Sequence, residues 1–343
     1  MNRLPISIRT QILGLLVEGN SMRATSRLAG ASINTVTKLL VDVGTACSEY
    51  QDQAFRNLPC KRIQCDNIWS FCAMKEKSVS EEKHRMIGLG DVYTWTAICA
   101  DTKLVPSFLI GHQDASFAKI FVEDLAGRLA NRVQLTTDGH KPYLQAVETS
   151  FGANVDYAMP VKFYGEAQGK SAERKFSPGQ CFGAVKGAVC GSPEEAPIST
   201  SYVERQNLTM RMGMRRFARP TNGFSKKIEN LEHAVALHFM YYNFGRIQKT
   251  LRVTPAMEAG VSDHAWSLEE IAALTDPHLV VSRSVWTVTW EQGGFSFGPQ
   301  YEADALAYAL DLLKGGKKVY SISRGNSVIY SETDIVKKLQ GSN

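Results

Sequence analysis

Two aspartates and a glutamate stand where oxygen-donor chemistry would need them. Asp66 lies in Arg62-Ile63-Gln64-Cys65-Asp66-Asn67-Ile68-Trp69, Asp138 in Leu135-Thr136-Thr137-Asp138-Gly139, and Glu204 in Ser201-Tyr202-Val203-Glu204-Arg205-Gln206-Asn207. Carboxylates are the ligands that hard divalent cations prefer, and two such ions can clamp the attacking and leaving oxygens of an in-line phosphoryl displacement. The combination points to metal-dependent polynucleotidyl transfer and predicts two ions, Mg²⁺ or Mn²⁺, on Asp66, Asp138 and Glu204. Taken singly, each acid is more often a helix cap or a solvated charge. The inference rests on the three together.

The elements around these acids must bring them to one place. Asp66 sits in an apolar, β-prone run at 63–74, and its side chain leaves the sheet on the face opposite Cys65 and Asn67. Strand-like runs follow at 92–100 and 104–110, joined by a turn at Asp101-Thr102-Lys103. A helical pattern at 115–130 precedes a strand at 133–137, which ends on Asp138 and exits through Gly139. A helix at 142–151 and a strand at 155–164 complete the order three strands, helix, strand, helix, strand. This order predicts an α/β fold, an RNase H-like mixed sheet with flanking helices, in which the first and fourth strands lie side by side. Glu204 opens a helix on which Asn207, Leu208 and Arg211 follow at i+3, i+4 and i+7. Residues 165–201, rich in Gly, Pro and Ser, read as a long functional loop. Gly88-Leu89-Gly90 reads as a turn, and residues 231–242 as an apolar core helix.

Charge and cysteines narrow the class. The 343 residues carry a net charge of +5, and from Arg205 to Lys227 every charged residue is basic: Arg205, Arg211, Arg215, Arg216, Arg219, Lys226 and Lys227. Such a block predicts a surface that neutralises phosphates. The seven cysteines form neither a Cys-x-x-Cys zinc pattern nor a disulfide framework, so reduced, mostly buried thiols are expected. No apolar run approaches the ~20 residues of a membrane span, and the expected location is cytoplasmic. His140, just after Asp138-Gly139, reads as an ordinary turn or helix-start residue.

Three short helices are expected at 6–17, 22–29 and 33–43, with Ser32 capping the third. Small Ser26, turn-forming Gly30 and β-branched Val36 suit the close packing of a helix-turn-helix, which would present Asn34, Thr35, Thr37 and Lys38 to a DNA groove. The expected domains are therefore a helix-turn-helix over 1–48, a catalytic domain over 60–275, and a small α+β appendage over 280–343. The appendage has strands at 284–290 and 318–323, a turn at Gly293-Gly294, a helix at 303–313 and a hairpin at Gly325-Asn326.

The block from Ile198 through Tyr202-Val203-Glu204-Arg205-Gln206-Asn207 to Arg211, continuing through Arg215-Arg216-Phe217 and Thr221-Asn222-Gly223-Phe224-Ser225-Lys226-Lys227, resembles the catalytic-glutamate segment of bacterial insertion-sequence DDE transposases of the insertion-sequence-one type. Gln64-Cys65-Asp66-Asn67-Ile68-Trp69-Ser70-Phe71, Thr137-Asp138-Gly139, Tyr242-Asn243-Phe244 and Leu251-Arg252-Val253-Thr254-Pro255-Ala256-Met257 share the resemblance, which covers residues 1–275. It implies a catalytic, metal-binding triad of Asp66, Asp138 and Glu204, with Asn207 and Arg211 as auxiliary contacts, and the basic block puts Arg215, Arg216, Lys226 and Lys227 on DNA. It also implies binding of double-stranded element ends, strand cleavage and strand transfer, and a homodimer or higher oligomer on DNA. The chain departs from the family at Asn67, commonly an acid there, and at Gln248, commonly a histidine. Two alternatives remain open: a catalytically silent DNA-binding regulator derived from a transposase, and an RNase H-like nuclease that hydrolyses without joining.

Overall fold

The computed structural model describes residues 3–80, 88–164, 181–218 and 222–276, and beyond them 286–290, 293–297, 308–309, 312–313, 318–324 and 327–331. Its first elements are helices α1 (Ile6–Val17), α2 (Met22–Ala29) and α3 (Ile33–Ala54). Ser21 Oγ accepts from Ala24 N–H and Ser32 Oγ from Thr35 N–H, so hydroxyls start α2 and α3, while Gly30 ends α2 in the left-handed region. The third helix was expected to stop at Val43, before Gly44, but it runs on to Ala54. Gly44 does not break it because the glycine marks a helix crossing: a Cβ there would fall 2.4 Å from Cβ of His233.

The expected strand and helix order is present as β1 (Arg62–Cys72), β2 (Gly90–Cys99), β3 (Ser107–Gly111), α4 (Ala115–Ala126), β4 (Val133–Thr137), α5 (Pro142–Phe151) and β5 (Val155–Tyr164). Gly88 and Gly90, at φ of 91° and 83°, form the turn into β2. A further strand, β6 (Cys181–Cys190), pairs antiparallel with β5 inside the stretch expected to be a loop. Gly183, Ala184, Gly187 and Ala188 stand where branched residues would have marked a strand. Residues 165–180 of the expected loop lie outside the described residues.

The six strands form one mixed sheet in the order β3-β2-β1-β4-β5-β6, with β1, β4 and β5 mutually parallel. Alternation along β1 divides the core. Ile63 and Cys65 join Trp95, Phe121, Leu125 and Tyr143 on the face covered by α4 and α5, while Ile68 and Cys72 join the opposite cluster. That second face is covered by α6 (Ser201–Gly213) and α7 (Ile228–Met240). On α7, Leu231, Val235 and Phe239 belong with the sheet-side cluster, whereas Ala236, Leu237 and Met240 belong with the cluster of α3. The helix therefore sits between the sheet and the N-terminal helices.

A π-helical turn, Tyr241–Gly245, follows α7. Within it Asn243 accepts from Val105 N–H at 3.0 Å and donates to Val105 O at 3.0 Å and to Gln51 Oε1 at 3.3 Å. One buried amide thus joins the β2–β3 connection to α3. The short helices α8 (Pro255–Glu258) and α9 (Leu268–Ala273) follow, α9 started by a Ser267/Glu270 capping box. Arg9 of α1 donates to Ala272 O, Thr275 Oγ1 and Asp276 Oδ1, all within 3.0 Å.

Beyond 276 a separate four-stranded antiparallel sheet has the order β10-β9-β7-β8, from β7 (Trp286–Trp290), β8 (Gly293–Phe297), β9 (Val319–Arg324) and β10 (Ser327–Ser331). Gly293 and Gly294, expected as a turn, open β8 instead. Of the helix expected at 303–313, positions 308–309 and 312–313 are described and helical. Leu306, Leu310, Lys314 and Lys317 lie outside the described residues. Among the described residues no helix is long and apolar enough to cross a membrane.

Candidate active site

The parallel pairing of β1 with β4 ends at Cys65 opposite Thr137. The next residue in each segment is an acid, Asp66 within β1 and Asp138 just past the end of β4, so the two stand side by side across strands spaced ~4.8 Å apart. Two buried groups lie within electrostatic reach of both aspartates. The Cys65 thiol is pushed well above its usual range by burial, then by Asp138 and Asp66. The Tyr143 hydroxyl is raised by burial first, with Cys65, Asp138 and Asp66 adding to it.

Asp66 is oriented at both oxygens. Its Oδ1 accepts from Asn67 N–H at 2.7 Å, and its Oδ2 accepts from Asn207 Nδ2 at 2.8 Å. Asp138 Oδ1 receives a longer bond, 3.4 Å, from His140 N–H. Behind it Thr137 Oγ1 lies 2.8 Å from Tyr157 OH and donates to the Asp138 carbonyl. These bonds hold the turn that carries Asp138.

Glu204 arrives on the first turn of α6, and that helix is seated by β1 itself. Thr200 at the N-cap gives no side-chain bond to the helix backbone. Gln64 replaces it: its Oε1 accepts from Tyr202 N–H at 2.8 Å and Val203 N–H at 3.2 Å. Gln64 and Asp66 share a face of β1 at i and i+2, so one strand face supplies the helix cap and the acid that Asn207 binds. Glu204, one turn before Asn207, is exposed, and its Oε1 accepts from Thr200 Oγ1 at 2.6 Å. Among the described residues no three His, Cys, Asp or Glu side chains form a metal-holding group. The structure places Asp66 beside Asp138 and brings the Glu204 helix to Asp66 through Asn207, with the Glu204 carboxylate turned to Thr200.

The other expected contacts divide by exposure. Arg211, Arg215, Lys226 and Lys227 are exposed, while Arg216 is half-buried, donates to Ser225 Oγ at 2.6 Å, and has its pKa lowered by burial. Asn207 is 6% exposed, so it positions Asp66 from below the surface expected to meet DNA. On α3, Asn34 and Lys38 are exposed, with Lys38 paired to Asp42 at 3.0 Å. Thr35 and Thr37, expected to be exposed, are half-buried, because Thr37 Oγ1 turns back to Ile33 O at 2.8 Å and Thr35 joins the Ser32 cap.

Sequence reasoning missed Gln64, whose one signal was a polar residue two positions before Asp66, on the same face of the strand. It also missed the packing of His140, whose ring lies 5.7 Å from Trp95 and 6.0 Å from Tyr143. Burial lowers the His140 pKa, against the opposing pull of Asp138 and Asp114. The residue is an aromatic wall of the site. No protein-family model matches this chain, and no curated protein is significantly similar to it.

Proposed function

We propose that the chain is a DDE-type DNA transposase of a bacterial insertion sequence, an RNase H-like polynucleotidyl transferase that binds double-stranded element ends, cuts them and joins them to target DNA. One observation carries this reading: the β1/β4 pairing that sets Asp66 beside Asp138, with the Glu204 helix tied to Asp66 by Asn207. A mixed six-stranded sheet flanked by helices is compatible with the RNase H-like fold. Neighbouring carboxylates, Asp66 within β1 and Asp138 just past the end of β4, fit a hard divalent ion by donor type. Mg²⁺ or Mn²⁺, when bound as a pair, lowers the pKa of an attacking water or 3′-hydroxyl and stabilises the leaving oxygen.

On this reading Asp66, Asp138 and Glu204 hold the ions, which requires Glu204 to leave Thr200 and turn toward the aspartates. Asn207 fixes the Asp66 rotamer, and Gln64 fixes the helix that delivers Glu204. Arg211, Arg215, Lys226 and Lys227 neutralise phosphates beside the site, and α2 and α3 form the helix-turn-helix that reads the element end. Joining two ends calls for a homodimer or larger assembly on DNA. The reading places the protein in the cytoplasm.

The engagement of Glu204 with Thr200 favours a second reading, a DNA-binding regulator without turnover. Labelled element ends incubated with the protein and Mg²⁺ separate the readings by yielding nicked and joined products, nicked product alone, or a complex alone. Asp66→Ala, Asp138→Ala and Glu204→Ala should each abolish cleavage and leave end binding within about twofold, because binding rests on the basic surface. Equal loss of binding in all three variants would assign the acids a structural role.

A further inference from the structure

The segment from His233 to Met257 carries no acidic residue, and Arg246, Lys249 and Arg252 gather in the loop between the π-helical turn and α8. All three are exposed. Other exposed cations are answered by a carboxylate: Lys38 by Asp42, Lys119 by Glu123, and Arg132 by Asp156. Among the described residues no carboxylate pairs with Arg246, Lys249 or Arg252. Cations of one sign, left unanswered, set up a field that draws an anion.

The backbone holds these cations in place. Arg246 N–H donates to Tyr241 O at 2.8 Å, Gln248 N–H to Val253 O at 3.0 Å, and Arg252 N–H to Gln248 O at 2.8 Å. Thr254, fully buried, then accepts from Met257 N–H at 3.2 Å and starts α8. Both feet of the loop are thus anchored. Arg252 holds φ at 62°, where a side chain other than glycine is strained and persists only because its surroundings fix it. Cations displayed on a fixed turn lose less freedom on binding than cations on a loose one.

Placement names the partner. A Cβ on Gly19, in the α1–α2 turn, would lie 2.8 Å from Gly213 O at the end of α6, and a Cβ on Gly213 would lie 3.7 Å from His238 Cε1. The Arg246 charge reaches His238. The foot of the loop therefore stands beside the junction of the N-terminal helices with the Glu204 helix. We propose that the loop at 246–252 is a phosphate clamp, on which Arg246, Lys249 and Arg252 take the backbone of double-stranded DNA where it passes from the N-terminal helices to the Glu204 helix. The clamp rests on the DNA reading given above and adds to it a contact that grips without reading bases. A lipid surface would ask for several large apolar side chains beside the cations, and Ile247, 60% exposed, is the one that this loop offers.

The test uses the full chain and two labelled duplexes of unrelated sequence, titrated over a series of salt concentrations. Lys249→Gln with Arg252→Gly removes two charges, and glycine accepts the φ of 62° without strain. Lys249→Arg with Arg252→Lys keeps both charges. Thermal melting checks that the two double variants fold. Each phosphate contact contributes about 0.9 to the slope of log affinity against log salt, so the neutral variant should lose about two such steps on both duplexes, and the charged variant none. That pattern supports the clamp, because a merely structural role would not change the count of phosphates. An unchanged slope in the neutral variant overturns the clamp and leaves the DNA reading standing. A wild-type chain that binds neither duplex overturns both. Binding of phosphatidylserine vesicles through the same two residues, with the duplex slope unchanged, overturns the clamp in favour of a lipid surface.

Discussion

On the proposed reading Asn207 decides how Asp66 can act, because a carboxylate that is to serve an ion must hold its rotamer before the ion arrives. The 2.8 Å bond from Asn207 Nδ2 fixes Oδ2, while Asn67 N–H fixes Oδ1. A hydrogen bond to a charged group contributes about 1.5–3 kcal/mol, so Asn207→Ala should cut single-turnover cleavage by about tenfold or more while duplex affinity holds. Filter binding alongside the cleavage assay checks this, and a parallel fall in affinity would make Asn207 a DNA contact instead. His238 gives a residue-scale prediction independent of catalysis. Burial, with the Arg246 charge as the second cause, holds its pKa down at about 4. The unfolded chain takes up this proton near ~6.5, so the contribution to stability is complete above that pH and is lost as pH falls toward 4. The loss is on the order of 3 kcal/mol. Burial lowers the His140 and His233 pKa values too, so they act in the same direction. Urea unfolding at pH 7 and 4.5 should show the fall in the native protein and a shallower one in His238→Gln. Equal falls would place the acid sensitivity elsewhere.

At the scale of elements, α6 depends on a strand for its start. Gln64→Leu would leave the Tyr202 and Val203 N–H groups without their acceptor, at a cost of about 1–3 kcal/mol, and would loosen the turn that carries Glu204. Gln64→Glu keeps an acceptor and adds an anion at a helix N-terminus, so it should retain stability where Leu loses it. Thermal melts of the two variants decide; identical melting points would show that the cap carries no weight. Gln64 also marks where reading the chain by itself stopped. The strand and helix order, and the register that sets Asp66 beside Asp138, were legible because apolar alternation and the Asp138-Gly139 exit are local signals. The cap was not, since Gln64 meets a partner 138 positions away. Asn243 escaped for the same reason: its role depends on Val105 and Gln51, and its sequence neighbours show only an apolar helix end. β6 was hidden by small residues, and the length of α3 by a glycine whose task is a helix crossing. At the candidate site the neighbouring positions of Asp66 and Asp138 were legible from the strand order, whereas the Thr200 bond that turns Glu204 aside belongs to side-chain geometry, which the sequence does not encode locally.

Across the whole molecule the N-terminal helices are built into the body. Ile12, Leu13, Val36, Leu40 and Val43 belong to one hydrophobic cluster with Trp95, Phe121 and Leu237, so deleting 1–48 should unfold the remainder where a tethered domain would come away cleanly. Loss of the cooperative melt would show this, and an intact melt would restore the tethered picture. The C-terminal sheet poses the opposite case, since among the described residues its strands pair only with one another, although Val288, Ala309, Val319 and Ile322 continue the same cluster. The first core has its own closure at Asp276, whose Oδ1 meets Arg3 at 2.8 Å and Arg9 at 3.0 Å. A chain ending after Asp276 should therefore fold cooperatively, melt a few degrees lower from the apolar surface it exposes, and keep its cleavage activity. A chain ending after Ala273 should do neither, because Arg9, 6% exposed, would lose Thr275 and Asp276 together. Stripping the partner from a buried cation costs about 3–5 kcal/mol. Calorimetry on the two truncations reads the difference directly. If the longer one also fails to fold, the terminal sheet is part of the core and the division at 276 is wrong.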